Sequence, residues 1–286
     1  MKIGLMFVNS GPFSDPRLFG HLAQTAERCG IESIWTVEHV VIPLDYKSPY
    51  PYSSSGKIPG GEEVLIPDPL VPLAYAAALT TRLKLATGVV ILPQRHPLYV
   101  AKELATLDVL SQGRMIFGVG SGWLKEEFDS LGLDFHTRGA RTDEAIGAMR
   151  ALWRDNPSRF AGKHFNFGPV VSLPKPVQKG GVPVHIGGHS KAAARRAARL
   201  GDGFFPMIRD PNELGRVLGL LKEECAKIGR NAAEIEVSAP GKPSLDLIKQ
   251  YRDMGISRLI VPPPAWDTEG LTRGLEKIAS EVLTKL

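Results

Sequence analysis

The sequence predicts an α/β protein: a (β/α)8 TIM barrel with loop insertions at its C-terminal face. Three observations predict it. Short β-rich runs alternate with helical patterns along the whole chain; there are eight of each; and no Pro/Gly/Ser linker divides the 286 residues, so 1–286 reads as one barrel domain. A doubly wound open sheet would share the alternation. Its mark is GxGxxG after the first strand with an acid about 20 residues on, and here the first run passes into NSGPFSD instead.

The elements follow in order. The run 3–8 is followed by a helical pattern over 17–29 that stops at Gly30. The run 33–37 leads, through an insertion over 40–67 rich in Pro, Tyr, Ser and Gly, to a helix over 69–80. The run 83–92 precedes a helix over 98–111 and Gly113, and the run 115–119 is separated from a helix over 138–154 by a second insertion, 121–137. RFAGKHFNFGPV, residues 159–170, alternates like a small hairpin. The runs 183–186, 203–206, 234–238 and 258–261 then precede helices over 190–200, 211–228, 244–254 and 268–284. Gly30, Gly113, Gly201, Gly229 and Gly255 sit where a left-handed residue closes a helix. Both large insertions follow strands, which in a barrel places them at the catalytic mouth as pocket walls or lids.

Composition narrows the function classes. A hydrophobic fraction of 43% and a charged fraction of 23% are those of a soluble globular protein. The net charge of +5 is interleaved along the helices, and even the densest patch, Arg195, Arg196 and Arg199, reads as a solvated helix face, so no nucleic-acid or membrane partner is expected. Cys29 and Cys225 lie far apart without CxxC or histidine at metal spacing, which predicts reduced, structural thiols and no metal site. MKIGLMFVNSG is too short an apolar run for a signal peptide, and cytoplasmic location is the default expectation.

In a barrel the chemistry sits just past the strand ends. There the sequence offers Glu38 and His39, then Gln94, Arg95 and His96, then GVGSGW at 118–123, then GGHS at 187–190. Gly187 and Gly188 permit a tight turn, and the helix beginning near Ser190 presents unpaired N–H groups and the positive end of its dipole, with His189, Ser190 and Lys191 as further donors: a phosphate cradle. An ordinary glycine turn with a serine cap accounts for the same letters. In GVGSGW, three alternating glycines leave room for a flat ligand or a ribityl chain, with Ser121 placed for its hydroxyls; a glycine-rich barrel corner is the plain alternative. Two such loops on consecutive strands favour one cofactor with a ring at one end and a phosphate at the other. His39 suits proton transfer near neutral pH, His185 lies within a strand and stays unassigned, and His96 either lines the pocket or ends its strand.

LDVLSQGRMIFGVGSGW, GGHSKAAARRAARLGDGFF and SIWTVEHVVIP together resemble the luciferase-like monooxygenase family, and within it the branch of coenzyme F420-dependent oxidoreductases, over nearly the full chain. The resemblance implies a barrel that binds F420, or alternatively FMN, at its C-terminal mouth. It implies that Gly187, Gly188, His189 and Ser190 hold the cofactor phosphate, that Gly120, Ser121 and Gly122 lie near the ring and ribityl chain, and that Glu38 contacts the deazaflavin. It further implies that Gly88 and Val89 back the ring through a non-proline cis peptide and that His39 reaches the reacting face. Some members carry a glutamate directly after the GxGxG loop as proton donor. This chain has Trp123, which walls a pocket but donates no such proton, so sugar-phosphate dehydrogenation is in doubt and Trp123 and His96 are assigned to the substrate pocket.

The implied function is hydride transfer between the deazaflavin C5 and a small organic substrate. An FMN-dependent two-component monooxygenase and a non-catalytic F420-binding barrel are the alternatives; Tyr46, Tyr50 and Tyr52 in the first insertion look more like a substrate wall than a storage protein needs. The resemblance also implies a homodimer.

Overall fold

In the computed structural model, which describes residues 1–286, β1 (Lys2–Met6) is buried after its first residue, the mark of a parallel strand covered on both faces. Asp15 then starts α1 (Pro16–Arg28): its carboxylate accepts the Arg17 and Leu18 N–H groups, and Pro16 fixes the first turn. The chain continues through β2 (Ser33–Thr36), α2 (Leu70–Leu79), β3 (Lys84–Thr87), β4 (Val90–Ile91), α3 (Pro97–Leu110), β5 (Met115–Gly120), α4 (Lys125–Ser130), α5 (Arg138–Arg154), β6 (Ser158–Ala161) and β7 (Asn166–Val170). It ends with β8 (Val184–Gly187), α6 (Lys191–Leu200), β9 (Gly203–Phe205), α7 (Pro211–Ala226), β10 (Glu236–Pro240), α8 (Leu245–Asp253), β11 (Arg258–Val261) and α9 (Thr268–Glu281).

The sheet runs β3-β2-β1-β11-β10-β9-β8-β5-β4, and the pairing of β3 with β5, Leu85 opposite Met115 and Ala86 opposite Ile116, closes it. With β3 and β4 as one interrupted strand, this is an eight-stranded parallel barrel in which each barrel strand leads to a helix, a (β/α)8 fold. β6 and β7 form the separate antiparallel hairpin.

Alternation along each strand sorts side chains into two cores. Leu5, Ile34, Leu85, Phe117, Ile186 and Leu259 face the helices, in a continuous apolar layer with residues such as Leu22, Leu104 and Leu275. Met6, Trp35, Ala86, Ile116, Phe205 and Ile260 fill the interior, where Trp35 is wholly buried and donates its indole N–H to Ser33 Oγ at 2.8 Å. His185 points inward too, 6.0 Å from the Trp35 ring, and burial pushes its imidazole down to about 4, so it is neutral at ordinary pH.

Four details depart from the sequence expectations. The run 83–92 is broken, with β3 ending at Thr87 and β4 resuming at Val90. The run 3–8 stops at Met6, because Phe7 takes a left-handed φ of 66°. Gly201 is extended (φ −91°), not left-handed: a Cβ there would lie 2.8 Å from Gly203 O and 3.0 Å from Ala197 O, so close backbone approach explains the glycine. Finally, the 121–137 insertion contains α4. No helix is long and apolar enough to cross a membrane.

Candidate active site

A cavity of about 990 Å³ opens at the C-terminal mouth of the barrel, within the range of cofactor sites. It brings together Glu38, His39, Gly88, Val89, Gly120, Ser121, Gly122, Trp123, Gly187, Gly188, His189 and Ser190. His96 is not among its walls. That imidazole caps α3, with Nδ1 3.4 Å from the Leu98 N–H, and packs edge-on against Phe165, so it ends its strand rather than lining the pocket.

On the β8 side, Gly188 takes φ 112°, turning the chain into α6, and Ser190 Oγ accepts the Ala193 N–H at 3.1 Å. The Ala192 and Ala193 positions face the cavity; Lys191 does not. His189 Nδ1 is buried with no partner in the protein, and its ring packs edge-on against Tyr52. Two cations absent from the sequence assignment complete this wall: Arg138 and Arg196. Arg196 hydrogen-bonds Asp143 and Gly139 O, and only 11% of its side chain is exposed, so it is not part of a solvated face. Burial and the neighbouring Arg196 lower the pKa of Arg138, which fits an anion-seeking pair. The sequence signal was present in the spacing: residues 192, 193 and 196 share one side of α6.

The glycines of GVGSGW are explained by the protein's own packing, not by room left for a flat ligand. A Cβ on Gly118 would stand 1.8 Å from Thr87 O, one on Gly120 2.5 Å from Val89 Cγ2, and one on Gly122 2.7 Å from the Phe128 ring. Gly187 makes the same allowance on the other side, 2.6 Å from Val89 Cγ1. Val89 is therefore seated between the two loops, and the peptide joining it to Gly88 is cis. Ser121 Oγ lies 3.3 Å from the Thr142 hydroxyl.

Past β2, the two adjacent side chains are held in different ways. Glu38 accepts the Ile91 N–H at 2.5 Å through Oε2 and Arg95 Nε at 2.7 Å through Oε1, while Arg95 also reaches Asp68 at 2.6 Å. Burial pushes the Glu38 carboxyl up against the pull of Arg95, and both oxygens are spent on the protein, which leaves Glu38 a brace at the cavity edge. His39 presents one ring nitrogen, Nδ1, to Glu127 Oε2 at 3.1 Å; Nε2 has no protein partner. Glu127, on α4, was missed from sequence, since nothing in KEEFDS marks one acid as buried. Trp123 stands edge-on to His39, Tyr46 and Tyr50, making the first insertion and the fourth barrel loop one aromatic wall. Around the eight-stranded ring β2 and β8 are three strands apart, so His39 and the glycine turn occupy nearly opposite walls.

The family model described as luciferase-like monooxygenase matches residues 5–247. An uncharacterized protein of Mycobacterium tuberculosis is 30% identical over 261 residues, 91% of this chain and 92% of its own. The oxygenase component of a flavin-dependent trigonelline monooxygenase from Acinetobacter baylyi is 26% identical, over 72% of this chain and 53% of its own. For the 5,10-methylenetetrahydromethanopterin reductase of Methanopyrus kandleri the identity is 26%, over 80% and 62%. Among solved structures, monooxygenase RslO1 from Streptomyces bottropensis superposes with a TM-score of 0.78 at 24% identity, over 100% of this chain and 99% of its own. An F420-dependent secondary alcohol dehydrogenase in complex with an F420-acetone adduct gives 0.78 at 17%, over 99% and 98%. At these identities the superpositions speak for the fold, whereas the family match spans most of the chain: this chain belongs to the luciferase-like monooxygenase family.

Proposed function

We propose that this chain is an F420-dependent oxidoreductase that moves a hydride between the deazaflavin C5 and a small organic substrate. The observation that carries the proposal is the division of one cavity into two unlike walls. One wall has the start of α6, the Gly188 turn, the unpartnered His189 Nδ1 and two arginines, a donor set suited to a phosphate. The other has a histidine with one nitrogen anchored and one free.

These residues fit the cofactor. Gly187, Gly188, His189 and Ser190 would hold its phosphate with Arg138 and Arg196, and Val89 would back its ring. When bound, the deazaflavin supplies a carbon that gives or takes hydride. The chain's own part is to orient the two reactants, keep water from them behind Trp123 and the Tyr50 and Tyr52 wall, and move a proton at His39 Nε2. Interconversion of an alcohol and a carbonyl needs such a proton partner, and a binding protein without turnover has no use for one. The FMN-dependent monooxygenase is the second reading, favoured by the flavin-dependent relative, because a phosphate wall of this kind serves either cofactor.

Calorimetric titration of the purified protein with F420 and, in parallel, with FMN tests the proposal. F420 is expected to bind and FMN to bind far more weakly, and Ser190→Glu should weaken F420 binding by about tenfold or more, ~1.4 kcal/mol, through repulsion of the phosphate. FMN binding without F420 binding would replace the proposal with the oxygen-activating reading.

A further inference from the structure

The carboxylate of Glu127 is completely buried, and its two oxygens do different things. Oε1 accepts the N–H groups of Val40 at 2.7 Å and Val41 at 3.4 Å, which fixes the root of the first insertion. Oε2 faces His39 Nδ1 at 3.1 Å. An ionised carboxylate has only lone pairs to offer the ring, and against it the proton of the neutral imidazole sits on Nδ1. Nε2 is then the bare nitrogen. No protein group meets it, and His39 lines the cavity.

We propose that Glu127 is a positioning residue that fixes His39 in its Nδ1–H tautomer, leaving the Nε2 lone pair directed at the substrate as a proton acceptor. This deepens the reading of His39 as proton partner and rests on it. A substrate hydroxyl at Nε2 gives up its proton: the O–H bond breaks, an Nε2–H bond forms, the oxygen keeps the electron pair, and the imidazolium is paired with Glu127. In the reverse direction the same proton returns to an alkoxide oxygen. The substrate class that follows is one bearing a hydroxyl donor, or its carbonyl counterpart, that meets Nε2. Trp123, 5.7 Å from the imidazole and edge-on to it, adds that the group carrying this hydroxyl is apolar.

A purely architectural Glu127 would need only its contacts to Val40 and Val41, and it would leave the tautomer to chance. In a histidine free in water the Nε2–H form predominates, so the two roles differ in an observable. The measurement is a long-range proton–nitrogen correlation spectrum of the full-length protein as purified, labelled with 15N-histidine, at a pH where the ring is neutral, with His39 assigned by its loss in His39→Gln. Wild type should show a protonated Nδ1 and a bare Nε2, and Glu127→Ala should shift the population to Nε2–H. A protonated Nε2 in wild type overturns the proposal without any variant, as does an unchanged tautomer in folded Glu127→Ala. Where the alanine variant does not fold, Glu127→Gln replaces it: an amide offers an N–H as well as an oxygen, so the preference for Nδ1–H should weaken, and full retention overturns control by the carboxylate. Because the spectrum reads the histidine ring and not cofactor binding, a protein that fails the F420 titration can still pass this test, and the reverse.

Discussion

Val89 is the residue on which two loops of the cavity converge, and its methyl groups occupy the room that Gly120 and Gly187 leave. Adding one carbon at either glycine forces an overlap below any normal contact distance, with a side chain as the obstacle at 2.5 or 2.6 Å. Gly120→Ala should therefore cost about 1–3 kcal/mol of stability, the usual penalty of overpacking, and weaken cofactor binding as Val89 moves. Trimming the obstacle with Val89→Ala should recover much of that stability in the double variant. A double-mutant cycle by urea unfolding checks it: strong favourable coupling is expected, and additive losses would mean that the glycine serves something other than Val89. At this scale the positions of the glycines were legible, but their purpose was not, because what fills them comes from the break between β3 and β4. Arg196 is the same lesson in charge. Its sequence neighbours Arg195 and Arg199 are 55% and 52% exposed in their side chains against its 11%, a difference set by α6 facing the cavity with residues 192, 193 and 196.

At the scale of elements, α4 is a clasp between the two insertions. Glu127 takes the Val40 and Val41 N–H groups, Glu126 Oε1 takes those of Lys47 at 2.7 Å and Ser48 at 3.1 Å, and the Lys125 N–H goes to Ser48 Oγ at 3.2 Å. Burial pushes the Glu126 carboxyl up, but the Ser48 hydroxyl and the two amides outweigh it and hold the carboxyl down from 4.5 to about 2. A depressed folded-state value means that the contact's contribution is complete above 4.5 and fades as pH falls toward about 2. The Lys47 and Ser48 amide resonances should thus titrate near 2, and Glu126→Gln should abolish that transition; a midpoint near 4.5 would mean that the clasp is not formed in solution. Sequence periodicity did not find this helix because six residues make too little of a stripe, and Leu124, at its start, offers no capping side chain. Helices α1, α6, α7, α8 and α9 were legible for the opposite reason: Asp15, Ser190, Asp210, Ser244 and Asp267 each cap one through a side-chain oxygen. The break between β3 and β4 was hidden inside one β-rich run, since both halves bury the same residue types.

Across the whole molecule, the two ends of the barrel carry different burdens, and the N-terminal end is closed by a charge cluster rather than by apolar side chains. Arg258 is 1% exposed; it donates to Glu32 through two nitrogens, each at 2.8 Å, and to Ser238 Oγ at 3.1 Å, pairs with Glu236, and lies over the Trp35 ring. Burial pulls the guanidinium down, yet Glu32 and Glu236 outweigh it and hold it charged, while Lys2 reaches Glu236 at 2.6 Å. The barrel's topology could be read from the order of runs, because each strand and helix declares itself locally; this plug could not, because residues 32, 236 and 258 meet only after β1, β2, β10 and β11 have become neighbours. Its placement makes a test of the division of labour between the ends. Arg258→Met strips Glu32 of its buried partner and leaves Glu236 with Lys2 alone, which should cost about 3 kcal/mol and lower Tm by roughly 5–10 °C for a chain of this size. The cavity walls at the opposite mouth contain none of these residues, so calorimetric affinity for F420, measured well below the new Tm, should stay within about twofold of wild type, ~0.4 kcal/mol. A variant that kept its Tm but lost affinity would show that the plug sets the geometry of the mouth through the strands; a fall in Tm with affinity unchanged assigns the plug to stability and the mouth to chemistry.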